Sequence, residues 1–228
     1  MRRTSTTSLS IFSRKDVTMS FQSPPGSSGI TTLTLPPHSL WTSGLHWHET
    51  HTEYLQVTQG VAFLHLDGIE QIVSATDGIL TIPRYARHEW RRPTASELKT
   101  KGGRVSGMDQ ETDTALTVKE WTDPDDGQKE VFFRNLNSAI IDITEGDGGA
   151  LRYLLMLQLF VIFQASDNYP VVWSRHGNGI GNENTMRAIE RAITHIVLRA
   201  AVILGWVLGL RGIYADYTPV ELLSAKNS

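Results

Sequence analysis

Between Ile30 and about Trp121, apolar residues come in short runs that alternate with polar ones, the period-two pattern of half-buried strands. Leu33 and Leu35 alternate with threonines, and Glu53–Thr58 and Val61–Leu66 are rich in β-forming residues. Asp67-Gly68 separates the latter run from Ile69–Val73, which predicts a tight hairpin. Gly78–Pro83, His88–Arg91 and Ala115–Trp121 add three further strand-like segments. Strands this closely spaced predict a mainly β fold, a small barrel or sandwich. The polar, glycine-bearing stretch Ser96–Asp113 reads as a surface loop.

The period changes after Asp123-Pro124-Asp125-Asp126-Gly127. Lys129–Thr144 has apolar residues near helical spacing and predicts an amphipathic helix. Tyr153–Ala165 is an uncharged apolar run; as a helix it spans about 20 Å, short of a bilayer core. Ala192–Leu210 is longer, but Arg199 near its middle costs about 2.5–3.5 kcal/mol on insertion. Both are expected to pack on the barrel, a partner subunit or a membrane surface. Thr218-Pro219-Val220-Glu221 places an N-cap, a first-turn proline and a glutamate where a last helix would start. The organisation read this way is a disordered Ser/Thr-rich tail over 1–24, a β-barrel over 25–125 and a helical, apolar extension over 126–228. The tail lacks the apolar run of a secretory signal; a transit peptide or a start at Met19 are its other readings.

Composition narrows the chemistry. Of 228 residues, 21 are basic and 24 acidic, a near balance that argues against a nucleic-acid partner. With no cysteine, disulfides, thiolate metal sites and a cysteine nucleophile are excluded. Any metal must be held by nitrogen and oxygen. Of eight histidines, His46, His48, His51 and His65 crowd into one short stretch. In a strand, His46 and His48 share a face. Glu53 follows after room for a turn, Gly60 ends that segment, and His88 comes after Pro83. Three imidazoles and a carboxylate suit Fe(II), Mn(II), Ni(II), Zn(II) or Cu(II). The plainer alternative is a set of polar residues on a solvated strand.

His46-x-His48, four residues, Glu53, six residues, Gly60 resembles the first motif of the cupin superfamily, and Pro83 with His88 resembles the second. Leu40, Asp77-Gly78, Tyr85 and Arg92 depart from the family's remaining positions. The resemblance implies a double-stranded β-barrel (jelly roll) and a divalent metal, iron foremost, held by His46, His48, Glu53 and His88. The segments around Leu45–Tyr54, Arg87–Arg92 and Val131–Asn137 are similar to a group of fungal cupin-domain oxidoreductases from clusters for reduced aromatic, salicylaldehyde-type polyketides. That similarity implies an intracellular, cytoplasmic oxidoreductase tailoring a polyketide-like small molecule. Membrane-surface association and a homodimer, both through the C-terminal helices, are further expectations. A redox-neutral isomerase, cyclase or decarboxylase on the same ligands, or a non-catalytic binding protein, remain alternatives.

Other residues read less sharply. Trp47 and Tyr54 are expected to pack, His51 to lie in a loop, and His65 to ride a hairpin. Arg84, Arg87, Arg91 and Arg92 flank His88 and read mainly as solvated, with orientation of an acidic substrate as the other option. His176–Gly181 loosely resembles a dinucleotide loop but lacks its third glycine, and Glu111, Asp113 and Asp123–Asp126 read as solvated acids.

Overall fold

The computed structural model describes residues 3–101, 113–144, 154–174 and 183–224. Among the described residues, eleven strands form two antiparallel sheets. The first has the order β1 (Ile11–Arg14), β2 (Val17–Phe21), β3 (Thr31–Leu35), β10 (Leu116–Asp123), β5 (Thr52–Gln59), β8 (Ile79–Ile82). The second has the order β11 (Tyr169–Pro170), β4 (His46–Trp47), β9 (His88–Arg91), β6 (Val61–Leu66), β7 (Ile69–Ser74). Without β1, β2 and β11 at the edges, two four-stranded sheets face each other, the jelly-roll arrangement.

The alternation along the strands sets their faces. On β5, Glu53, Leu55 and Val57 are buried while Thr52, Tyr54 and Gln56 are partly exposed. On β10, Leu116, Val118, Glu120 and Thr122 are buried in the same way. The β5–β10 register pairs Glu53 with Thr122 and Leu55 with Glu120, so two carboxylates sit on the inward face of neighbouring strands. The expected hairpin is present: Asp67 and Gly68, at φ of 47° and 90°, join β6 to β7. Gly60, at φ 73°, links β5 to β6, and a Cβ there would lie 2.9 Å from the Ala115 carbonyl oxygen. Both conformation and space therefore require glycine at that position.

Two expectations are corrected. Residues 11–21, expected to be disordered, form the β1–β2 hairpin on the edge of the first sheet. Phe12, Val17, Met19 and Phe21 are buried, so the segment gains enough apolar burial to order a Ser/Thr-rich sequence. Thr6 is tied to the C-terminal part through its N–H to Asp216 O and its hydroxyl to Ser138. Within the expected loop at 96–113, Ala95–Lys101 is a helix, α1. Thr94 and Glu97 cap it reciprocally, with Glu97 N–H on the Thr94 hydroxyl and Thr94 N–H on the Glu97 carboxylate.

Beyond the barrel lie α2 (Gln128–Thr144), α3 (Leu155–Ala165), α4 (Glu183–Val207) and α5 (Val220–Ser224). One hydrophobic cluster runs from the barrel interior through Phe132, Phe133 and Ala139 of α2 to Ile162 of α3, Tyr214 and Tyr217. Helix α2 is not simply amphipathic. Its polar residues Lys129, Glu130, Arg134, Asn135 and Asn137 are buried along with its apolar ones. The far half of α4 leaves Ile203, Leu204, Trp206 and Val207 exposed. Among the described residues, no helix is long and apolar enough to cross a membrane. Val171–Trp173 follows the short β11 and keeps one bond to the sheet, from Val171 N–H to Leu45 O.

Candidate metal centre

Two imidazoles meet because their strands pair: His46 of β4 lies directly opposite His88 of β9, with ring centroids 4.1 Å apart. His48 follows β4 on the same face, and Glu53 enters from β5 in the facing sheet. All four side chains are buried, and one ligating atom from each can be chosen so that all lie within 4.8 Å of one another. The structure thus brings together His46, His48, Glu53 and His88.

The hydrogen bonds fix how the rings face this point. His46 Nδ1 lies 2.8 Å from Gly44 O, His48 Nδ1 2.6 Å from Asp167 O, and His88 Nδ1 3.0 Å from Ala86 O. A carbonyl can only accept, so each Nδ1 carries its proton and each Nε2 is left for the cluster. Glu53 Oε2 lies 2.6 Å from His48 Nε2 and 3.2 Å from His88 Nε2. Burial, with His88 and His48 alongside, holds His46 well below the ordinary histidine value. Burial also lowers His48, against the pull of Glu53. Burial would raise Glu53, but the Lys129 ammonium beside it, with the His48 and His88 rings close by, holds it well below the usual carboxylate range. Three imidazole Nε2 atoms converging on a carboxylate oxygen suit positive charge held between them. The donor set therefore fits a divalent cation bound by three nitrogens and one oxygen.

Lys129, at the start of α2, is a part of the site the motif does not announce. Its ammonium lies 2.9 Å from Glu53 Oε1 and 3.0 Å from Glu120 Oε2. Glu120 also accepts from the indole N–H of Trp90. Burial raises Glu120, opposed by Lys129; burial would lower Lys129, but Glu120 and Glu53 raise it. With Oε1 held by Lys129, Glu53 offers the cluster a single oxygen. The available signal was the inward position of Glu120 on β10, which calls for a buried cation.

Asp167, after α3, is likewise absent from the motif. Its carboxylate accepts from the backbone N–H groups of Glu49, Thr50 and His51, from the Thr50 hydroxyl and from His51 Nδ1. It thereby fixes the turn between His48 and Glu53. His51 is buried between Asp167 and Asp126 and does not join the metal cluster.

The remaining candidates lie elsewhere. Trp47 is buried and stacks on Tyr169, and Tyr54 stacks on Trp121. His65 accepts from Gly68 N–H in the hairpin turn. Arg87 pairs with Glu190 and Arg91 with Glu97, while Arg84 is exposed. Arg92 donates to Leu35 O. Asp125 accepts from Gly29 N–H, and Asp113 and Asp123 are exposed. Glu111 and the loop 176–181 lie outside the described residues.

A cavity of about 520 Å³ opens onto the cluster. His46, Glu53, Lys129 and Glu120 line its polar part. Phe132, Phe133 and Leu136 of α2 and Leu159, Phe160 and Phe163 of α3 give it apolar walls. That size and lining suit a small organic molecule.

The jelly-roll barrel thus gathers His46, His48, Glu53 and His88, the four residues whose spacing resembles the cupin motifs. The chain is 31% identical over 96 residues to a probable oxidoreductase, virH, of Hypocrea virens, covering 40% of this chain and 36% of that protein. It is 39% identical over 66 residues to the oxidoreductase iacF of Pestalotiopsis fici, covering 28% of this chain and 29% of that protein. The matched segments thus span about a third of each relative. Among solved structures, a cupin-2 domain protein of Rhodospirillum rubrum aligns at TM-score 0.33 and 19% identity, covering 53% of this chain and 66% of that one. A cupin sugar phosphate isomerase of Silicibacter pomeroyi aligns at 0.34 and 18%, covering 47% and 59%. No family model matches the chain.

Proposed function

We propose that the protein is a metal-dependent cupin oxidoreductase that tailors an apolar, polyketide-like small molecule. The observation that carries this reading is the buried convergence of three imidazoles, each with its Nδ1 proton given to a carbonyl, and one carboxylate oxygen at the end of an apolar cavity. The two fungal relatives named oxidoreductases support the redox assignment over the part of the chain they match.

His46, His48, Glu53 and His88 would hold the ion, with iron as the first expectation and Mn, Zn, Ni or Cu as the other ions such ligands accept. When bound, the ion supplies Lewis acidity and, if iron or copper, a redox couple. Lys129 orients Glu53 and offsets its charge. The aromatic walls of α2 and α3 hold the apolar body of the substrate and exclude water from the cluster.

Elemental analysis of protein purified without a metal-binding tag tests the centre. A stoichiometric redox metal is the expected result, and no bound metal in folded protein overturns it. Product mass tests the reaction: oxidoreduction changes it by hydrogens or oxygen, whereas a product of unchanged mass assigns redox-neutral chemistry. Unaltered pathway output from a folded His48→Ala variant would overturn every enzymatic reading.

A further inference from the structure

Arg14 ends β1 and points to the same sheet face as buried Phe12, two residues earlier. Its side chain reaches the wall of the cavity that holds the metal cluster. Its Nε is buried and has no hydrogen-bond partner. Burial weakens its basicity more than neighbouring Asp16 restores it. A charged donor removed from water without an acceptor is costly, so a fold that keeps one beside a cavity calls for an acceptor from the ligand. The other cation on the wall, Lys129, is committed to Glu53 and Glu120. Leu136, Ile140 and Phe160, which also line the cavity, offer no side-chain acceptor.

We propose that Arg14 is a specificity residue that binds a carboxylate of an otherwise apolar substrate. The planar guanidinium fork matches a carboxylate in a bidentate pair. A single guanidinium with an unused Nε–H suits a monoanionic carboxylate better than a phosphate dianion. The apolar walls take the rest of the molecule. This assigns to the N-terminal hairpin the acid recognition that Arg87, Arg91 and Arg92, engaged with Glu190, Glu97 and Leu35 O, do not provide. The inference rests on the cavity being the substrate site proposed above, and its test separates the arginine from the metal.

The probes are 4-phenylbutyrate and 4-phenylbutanol, which share an apolar body and differ in the acid. Their affinities are measured by calorimetry on the full chain, both chelator-treated and loaded with Mn(II), for wild type, Arg14→Lys and Arg14→Met. In chelator-treated wild type the acid is expected to bind about tenfold or more tighter than the alcohol. Arg14→Met should erase that preference while leaving the alcohol within about twofold of wild type, and Arg14→Lys should keep part of it. Near-ultraviolet circular dichroism checks that both variants fold. A preference that is absent from chelator-treated wild type, or unchanged in Arg14→Met, overturns the assignment. A preference that appears only with Mn(II) and survives Arg14→Met places the carboxylate on the metal, which overturns the assignment and supports the metal centre. An Arg14-dependent preference in protein that takes up no Mn(II) upholds Arg14 and removes the metal reading.

Discussion

Asp167→Asn removes the charge that organises the turn between His48 and Glu53 while changing almost no volume. The buried carboxylate accepts five hydrogen bonds, one on Oδ1 and four on Oδ2. Burial alone would raise its pKa, but the bonds from His51, Thr50 and the Glu49 and Thr50 amides lower it from 3.8 to about 2. At ~1.4 kcal/mol for each pKa unit, the ionised form contributes about 2–3 kcal/mol to stability at neutral pH. Asn can keep an oxygen at the Oδ2 position, so the neutral variant retains weaker versions of those four bonds and loses the Glu49 amide. The expected loss is about 2–3 kcal/mol at pH 7, read by urea denaturation of chelator-treated protein. The sign with pH follows from a depressed carboxylate: its stabilisation is complete above 3.8 and disappears as pH falls through about 2. The gap between wild type and variant should therefore be full at pH 7 and narrower at pH 3. The Asp167 carbonyl also orients His48 through its Nδ1, so metal affinity should drop by roughly tenfold to a hundredfold. A difference below about 0.5 kcal/mol at pH 7, or a gap that widens toward pH 3, would refute the reasoning.

Lys129→Met strands two buried carboxylates; a loss of about 3–5 kcal/mol is expected in thermal or urea melts of metal-free protein, and a loss under ~1 kcal/mol would contradict the ion-pair geometry. Gly60→Ala combines a left-handed φ with a Cβ 2.9 Å from Ala115 O, and should lower stability by about 1–3 kcal/mol in the same assay. Adding a divalent ion at about a hundred times its Kd should raise the unfolding free energy by ~2.7 kcal/mol. His48→Ala should abolish that gain, and a gain that persists in the variant would point to a different site.

The barrel was legible wherever a strand carries its own signal. β6 and β9 have the bounds that alternation and turn residues predict, and β5 and β10 differ only at their ends. Asp67-Gly68 pins its hairpin because few other residues accept two positive φ values in succession. His46 and His48 were legible for the same reason, since the period of a strand puts them on one face; Glu53 and His88, on β5 and β9, were named through the resemblance to the cupin motifs. What escaped was satisfied from far along the chain. Asp167 stands 119 residues beyond His48, and no local pattern ties its carbonyl to that ring. Lys129 and Arg134 look like solvent-facing charges on an amphipathic helix. Both are buried because Glu53, Glu120 and Glu130 meet them inside. The β1–β2 hairpin escaped because, across residues 1–24 taken together, serines and threonines outnumber Phe12, Val17, Met19 and Phe21, although those four residues supply the burial that orders it.

The same division runs through the chemistry. His46, His48, Glu53 and His88 supply the candidate ligating atoms. The cavity that faces them is built by α2, α3 and the N-terminal hairpin, which contribute Lys129, the aromatic walls and Arg14. Exchange of a ligand should therefore end metal binding for every substrate. Exchange of Arg14 or of a wall residue such as Phe160 should change which molecule enters and leave the metal in place. Comparing metal content with ligand preference across those two sets of variants separates the centre from its selectivity. Loss of metal on replacing Phe160 with Ala in a folded protein would show that the walls and the centre are one mechanical unit.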